Sequence, residues 1–199
     1  MRFRSFLFTP ANRLDRLEKA WISQADVSIL DLEDGTPENA RLDARRGLVD
    51  LFLAPPVEAP ALAIRINPLT TADGIRDAAM LLELKSWPQI ICLPKVETSK
   101  EVEQIRNLAA SVGQAPWIMV TLETAKALAD PLAILQGAGS KILAGYGSGD
   151  HTAETGAAMT YSGLAWGRGQ MVNAAGAVGC PLIDGVCAAF HDGEALKSE

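Results

Sequence analysis

Short apolar runs alternate with helix-like stretches along the whole chain, and a polar or charged residue closes nearly every run. The runs fall at residues 5–9, 27–32, 61–67, 90–94, 117–122 and 141–145, with a seventh at 181–184. Each has strand length, and most are apolar on both faces, as strands buried on both sides are. Helical spacing fills the gaps, for example at 100–112 and 124–135. After the first run, Asn12 and Asp15 are spaced as a capping box, and Leu14, Leu17 and Trp21 then recur on one helical face. Pro55, Pro56 and Pro60 mark a loop before the third run. Near-continuous apolar strands separated by helices imply a parallel sheet covered on both faces.

Such a sheet closes into a (β/α)₈ TIM barrel or stays open as a doubly wound sheet. Glu33, Asp34, Arg65, Asn67, Lys95, Glu97, Glu123 and Asp150 all fall at C-terminal ends of successive runs. A barrel brings those ends to one mouth, whereas an open sheet offers a single crevice. The α/β barrel is therefore the expected fold, with residues 1–199 as one domain. Seven strands are legible, and a barrel of about 250 residues has eight. The eighth strand is degenerate, or this chain lacks it together with the C-terminal helices.

Composition narrows the class of function. Hydrophobic residues make up 48% of the 199 and charged residues 21%, which is globular usage. The net charge of −6 argues against nucleic acid or an anionic membrane as the main partner. Cys92, Cys180 and Cys187 follow no ligand spacing, and Cys92 reads as a small buried hydrophobe. A cytoplasmic location is expected from this cysteine usage and from an N-terminus with neither a secretory core nor a membrane span.

Glu123 and Asp150, at neighbouring strand ends with no cysteine between them, suit a hard cation such as Mg²⁺. Helix capping is the competing reading. Arg65 interrupts an apolar strand. It is either paired structurally with Glu33 or Asp34, or aimed at a substrate carboxylate. Asp31 and Glu33 lie on one strand face, and some of these acids are expected to support Arg65, Lys95 or backbone donors. Gly145, Gly147 and Gly149 could cradle a phosphate, or allow close backbone approach to a ligand. His151 is a candidate base or ligand against a loop or capping role, and His191 has no expected role. Trp21, Trp117 and Trp166 read as packing residues and Trp87 as a loop anchor.

Six ordered motifs carry a resemblance. Ser5-Phe6-Leu7-Phe8-Thr9-Pro10-Ala11-Asn12-Arg13, Asp31-Leu32-Glu33-Asp34-Gly35, Arg65-Ile66-Asn67, Leu93-Pro94-Lys95-Val96-Glu97, Leu122-Glu123-Thr124-Ala125 and Gly147-Ser148-Gly149-Asp150 together resemble the citrate lyase beta-subunit family of the HpcH/HpaI aldolase superfamily. The resemblance implies a Mg²⁺-dependent barrel enzyme that cleaves or forms carbon–carbon bonds next to a thioester or keto acid. It makes Arg65 a substrate-binding arginine, Glu123 a ligand of both metal and substrate, and Asp150 the second metal ligand. The crowding of acids at one strand end makes Glu33 and Asp34 the expected supports, and the resemblance matches residues 10–16 to a region near the coenzyme A entrance. Two departures stand out: no eighth-strand Gly-Lys-x-x-x-His-Pro-like motif follows, and Gly147-Ser148-Gly149-Asp150 replaces a Gly-Ala-Glu-Asp pattern.

The expected reaction is lysis of a citryl-, citramalyl- or malyl-type acyl-CoA to a keto acid and an acyl-CoA, by a homo-oligomer. The base is not identified; a metal-bound water and Asp34 are the candidates. An aldolase acting on a free 2-keto acid without coenzyme A is one alternative, and a non-catalytic interaction subunit is another.

Overall fold

The computed structural model describes residues 3–54, 60–187, 189 and 191–198. The chain divides into two compact units. The first runs up to Pro94 and includes Glu103–Ile118; the second comprises Lys95–Val102 and everything from Met119 on.

The first unit contains β1 (Phe6–Pro10), α1 (Leu17–Ile22), β2 (Val27–Asp31), α2 (Arg41–Leu53), β3 (Ala61–Arg65), α3 (Ala72–Glu83) and β4 (Ile90–Leu93). These strands pair in chain order, and all three pairs are parallel. The register sets Pro10 beside Asp31, Asp31 beside Arg65, and Arg65 beside Cys92. Strand pairing thus places an acid and a base side by side at the C-terminal ends. Below that row Ile29, Ile64, Ile90 and Ile91 are fully buried, and Leu48, Phe52, Met80 and Leu81 of α2 and α3 are buried with them. Each such side chain contributes roughly 1.5–3 kcal/mol by leaving water.

The second unit takes α4 (Ser99–Ser111) as far as Val102 and β5 (Trp117–Leu122) from Met119. It continues with α5 (Ala125–Ala129), α6 (Pro131–Gly137), β6 (Ile142–Tyr146), α7 (Ser148–Thr155), α8 (Tyr161–Val178), β7 (Leu182–Ile183) and α9 (Gly193–Ser198). Strand order again follows the chain, with β6 and β7 parallel. The barrel-type α/β class read from the sequence is borne out, with no eighth strand among the described residues. Among them, no helix is long and apolar enough to cross a membrane.

Local readings needed correction in four places. The helix expected over 124–135 is broken at Asp130, whose φ of −146° and ψ of 64° leave helical space. Pro131 has no N–H to continue the ladder, and the Asp130 carboxylate instead accepts from Ala133 N–H at 3.2 Å to start α6. The capping box at Asn12 does not form: Asp15 is held by Arg13 at 2.8 Å, and a 3-10 turn over Leu14–Arg16 precedes α1. β1 is not covered on both faces, since Leu7 and Phe8 are exposed; among the described residues its strand neighbour is β2 alone. Trp166 is exposed on α8, whereas Trp87 and Cys92 are buried as expected. Pro55 and Pro56 lie outside the described residues, and Pro60 is in irregular backbone.

Candidate functional site

The first unit builds its polar cluster around Arg65. The guanidinium donates from Nε to Asp31 Oδ1 at 2.7 Å and from Nη2 to Asp31 Oδ2 at 2.6 Å, a two-point grip. Nη1 lies 2.8 Å from Glu33 Oε2, and the Phe8 ring centroid is 4.8 Å from the guanidinium carbon. Both carboxylates are buried. Asp31 is further fixed by the N–H groups of Glu33 and Gly35, at 3.0 and 2.8 Å. Of the acids that the sequence grouped here, Asp31 and Glu33 reach Arg65, while Asp34 is an exposed residue.

A buried network stands behind this pair. Arg45 donates to Asp77 at 2.6 Å and to Asp73 at 2.7 Å, and Arg41 donates to Asp73 at 2.7 Å. Asp77, fully buried, accepts from both the backbone and the side-chain nitrogen of Asn67 through Oδ2. Asn67 Nδ2 also donates to the Leu32 carbonyl at 2.9 Å, so the backbone on either side of Arg65 and Glu33 is tied to α3. The arginines around Asp73 hold its carboxyl well below the usual carboxylate range. Cys92, beside Arg65 in the register, has its thiol pushed up to about 12 by burial.

In the second unit Glu123 closes β5 and is buried. Its Oε1 accepts the Lys95 N–H at 2.7 Å. Its carboxylate also occupies the space that a β-carbon on residue 147 would fill. Gly147 is therefore a space-giving residue for Glu123, and this explains its place in the glycine-rich run better than a phosphate cradle does. Asp150 lies in the first turn of α7, half-exposed, with Oδ1 3.6 Å from Lys95 Nζ. Lys95 therefore touches both carboxylates, one through its backbone and one through its side chain. The sequence pointed to Glu123 and Asp150 but gave Lys95 no part of its own.

Neighbouring polar groups are engaged in support. Thr124 caps α5 through Ala127 N–H, and Glu154 accepts the Ala125 N–H at 2.8 Å. Lys126 donates to Glu97 at 2.8 Å, which lowers the Glu97 carboxyl from its ordinary value. His151 is buried, and its Nδ1 shares a 2.8 Å hydrogen bond with the Tyr146 hydroxyl. Burial lowers the imidazole from its ordinary value and raises the phenol, so the pair reads as an anchor of α7 on β6.

The donor set fits a magnesium ion. Glu123 and Asp150 offer hard oxygens, one of them in a pocket kept open by a glycine, and Mg²⁺ commonly takes one or two carboxylates and completes its shell with water and substrate oxygens. Among the described residues no group of three or more His, Cys, Asp or Glu side chains is arranged to hold a metal.

Comparison with known proteins decides the lineage: the profile of the HpcH/HpaI aldolase/citrate lyase family matches residues 4–199. The chain belongs to the HpcH/HpaI aldolase/citrate lyase family. It is 33% identical over 202 residues to a (3S)-malyl-CoA thioesterase of Cereibacter sphaeroides, covering 99% of this chain and 67% of that relative. Among solved structures it superposes on RipC from Yersinia pestis with a TM-score of 0.84 at 32% identity, covering 99% of this chain and 82% of that one. The protein CitE of Mycobacterium tuberculosis, crystallised with magnesium, acetoacetate and coenzyme A, superposes with a TM-score of 0.76 at 28% identity. That match covers 96% of this chain and 68% of CitE.

Proposed function

We propose that this member of the family is a Mg²⁺-dependent carbon–carbon lyase acting on a 3-hydroxyacyl-CoA of the malyl, citramalyl or citryl type. The observation that carries the reading is the buried Glu123 carboxylate, held by Lys95 N–H and given room by Gly147, with Asp150 at the other end of Lys95. The CitE structure with magnesium, acetoacetate and coenzyme A supports ligands of this chemistry. Glu123 and Asp150 would hold the ion, which when bound polarises substrate oxygens and offsets charge developing on them.

Arg65 would hold the substrate's free carboxylate. Its guanidinium is already oriented by Asp31 and Glu33, so little rotamer freedom is lost on binding. Loss of the hydroxyl proton then lets the bond between the hydroxyl carbon and the thioester α-carbon break. The electrons of the O–H bond become the keto acid's carbonyl, and those of the broken bond pass into the acyl-CoA enolate, which takes up a proton.

The relative's name motivates a second reading, hydrolysis of the malyl-CoA thioester itself. One assay separates the two. The purified chain with Mg²⁺ and malyl-CoA is expected to release acetyl-CoA and glyoxylate, with EDTA and Asp150→Ala each lowering the rate by about a hundredfold or more. Release of free coenzyme A thiol and malate would select hydrolysis, and full activity of Asp150→Ala would remove the metal assignment.

A further inference from the structure

Lys95 has a φ of +50°, in the left-handed region that a β-carbon disfavours. Gln24 and Lys141 share that sign, and both lie in connections between a helix and the next strand. What distinguishes Lys95 is where this backbone leads. Its N–H points at Glu123 Oε1, 2.7 Å away, and the next N–H, that of Val96, donates to Thr121 O at 3.2 Å. Its ammonium stands 3.6 Å from Asp150 Oδ1, with both side chains about one-third exposed.

These two contacts act differently on a dication. The N–H dipole fixes Glu123 without adding net charge. The ammonium offsets Asp150 and repels a second positive charge at the same oxygen. A four-carbon stem lets that ammonium turn to another anionic oxygen when one is supplied. We propose that Lys95 is a positioning residue that couples metal binding to anion binding: its ammonium weakens the hold of Glu123 and Asp150 on a bare divalent cation, and pairs with a bound keto acid once both are present. By linkage, the ion and the anion then strengthen each other's binding by the same factor. The inference rests on the assignment of Glu123 and Asp150 as the metal pair.

The test measures Mn²⁺ affinity of the intact chain by the electron paramagnetic resonance signal of the free ion, with and without pyruvate. Lys95→Gly keeps the N–H and accepts a positive φ, while Lys95→Met keeps the stem without the charge. Both are expected to bind bare Mn²⁺ about two- to tenfold more tightly than the wild type, a range set by a partly exposed ion pair acting on a doubly charged ion. Both should also lose most of the tightening that pyruvate gives the wild type, and Lys95→Arg should retain it. A structural defect alone would not raise metal affinity. Unchanged or weaker bare-ion binding in Lys95→Gly overturns the proposal, as does a wild type whose Mn²⁺ affinity ignores pyruvate. If the wild type binds no Mn²⁺, the metal assignment itself falls. If it binds, Glu123→Gln abolishes binding and Lys95→Gly matches the wild type, the metal assignment stands and the role of Lys95 is excluded.

Discussion

Asp31 accepts from Arg65 twice and from the N–H groups of Glu33 and Gly35, while Asp150 is half-exposed and meets Lys95 across 3.6 Å. The acids around Arg65 are buried and bound at short range, with a second network of Arg41, Arg45, Asp73 and Asp77 behind them. Around Lys95, Glu123 accepts an N–H from a left-handed residue, and Asp150 meets the ammonium across a longer, half-exposed ion pair. The difference separates two jobs. Short, buried ion pairs orient Arg65, whereas a partly exposed carboxylate such as Asp150 leaves an oxygen open to an incoming ion.

Three substitutions or conditions sharpen that contrast. The largest effect belongs to Asp77→Ala, which leaves Arg45 buried against one fewer acid and strips Asn67 of its acceptor. Denaturant unfolding should show a loss of about 3–5 kcal/mol, the usual cost of breaking a buried pair. A loss below about 1 kcal/mol would mean that the network behind Arg65 is not rigid. Next comes Gly147→Ala, whose new β-carbon meets the Glu123 carboxylate. Calorimetric titration should show Mg²⁺ affinity down about ten- to hundredfold, with Gly149→Ala as a comparison, because nothing lies within 4 Å of a β-carbon there. Equal affinities for the two variants would dissolve the idea that Glu123 needs the glycine.

The smallest effect is a pH dependence of stability. Asp73 titrates below its unfolded value because Arg41 and Arg45 donate to it. Its contribution is therefore fully present above the ordinary Asp value of about 3.9 and drains away as pH falls through the lower folded value. Melting temperature should decline over that acid range, and Asp73→Asn should flatten the decline by a few degrees. Identical acid limbs would argue that the Arg41 and Arg45 contacts are not made in solution.

Much of this is legible in the sequence. The apolar runs locate the seven strands of the described residues to within about two residues, most plainly β2, β4 and β6, whose burial on both faces makes them largely apolar. Arg65 stands out as a charge inside such a run, and the two-residue spacing of Asp31 and Glu33 places both on one face of their own strand. Choosing among Asp31, Glu33 and Asp34 as its partners required the register, which sets Asp31 directly beside Arg65. The pairing of Arg45 with Asp77, 32 positions apart, leaves no local trace. Nor does the backbone contact of Lys95, since a left-handed lysine looks like any other in a sequence. Pro131 did signal the break between α5 and α6, and helical periodicity on both sides masked it.

Cys92 shares its strand register with Arg65 and carries a neutral thiol sealed from solvent. A thiol in that state neither attacks acyl thioesters nor takes up alkylating reagents, since the thiolate is the reactive form. It therefore becomes modifiable only while the strands around Arg65 separate. The rate at which a maleimide consumes Cys92, followed apart from the less buried Cys180 and Cys187, is thus a clock for the opening of that cluster, read at a native side chain.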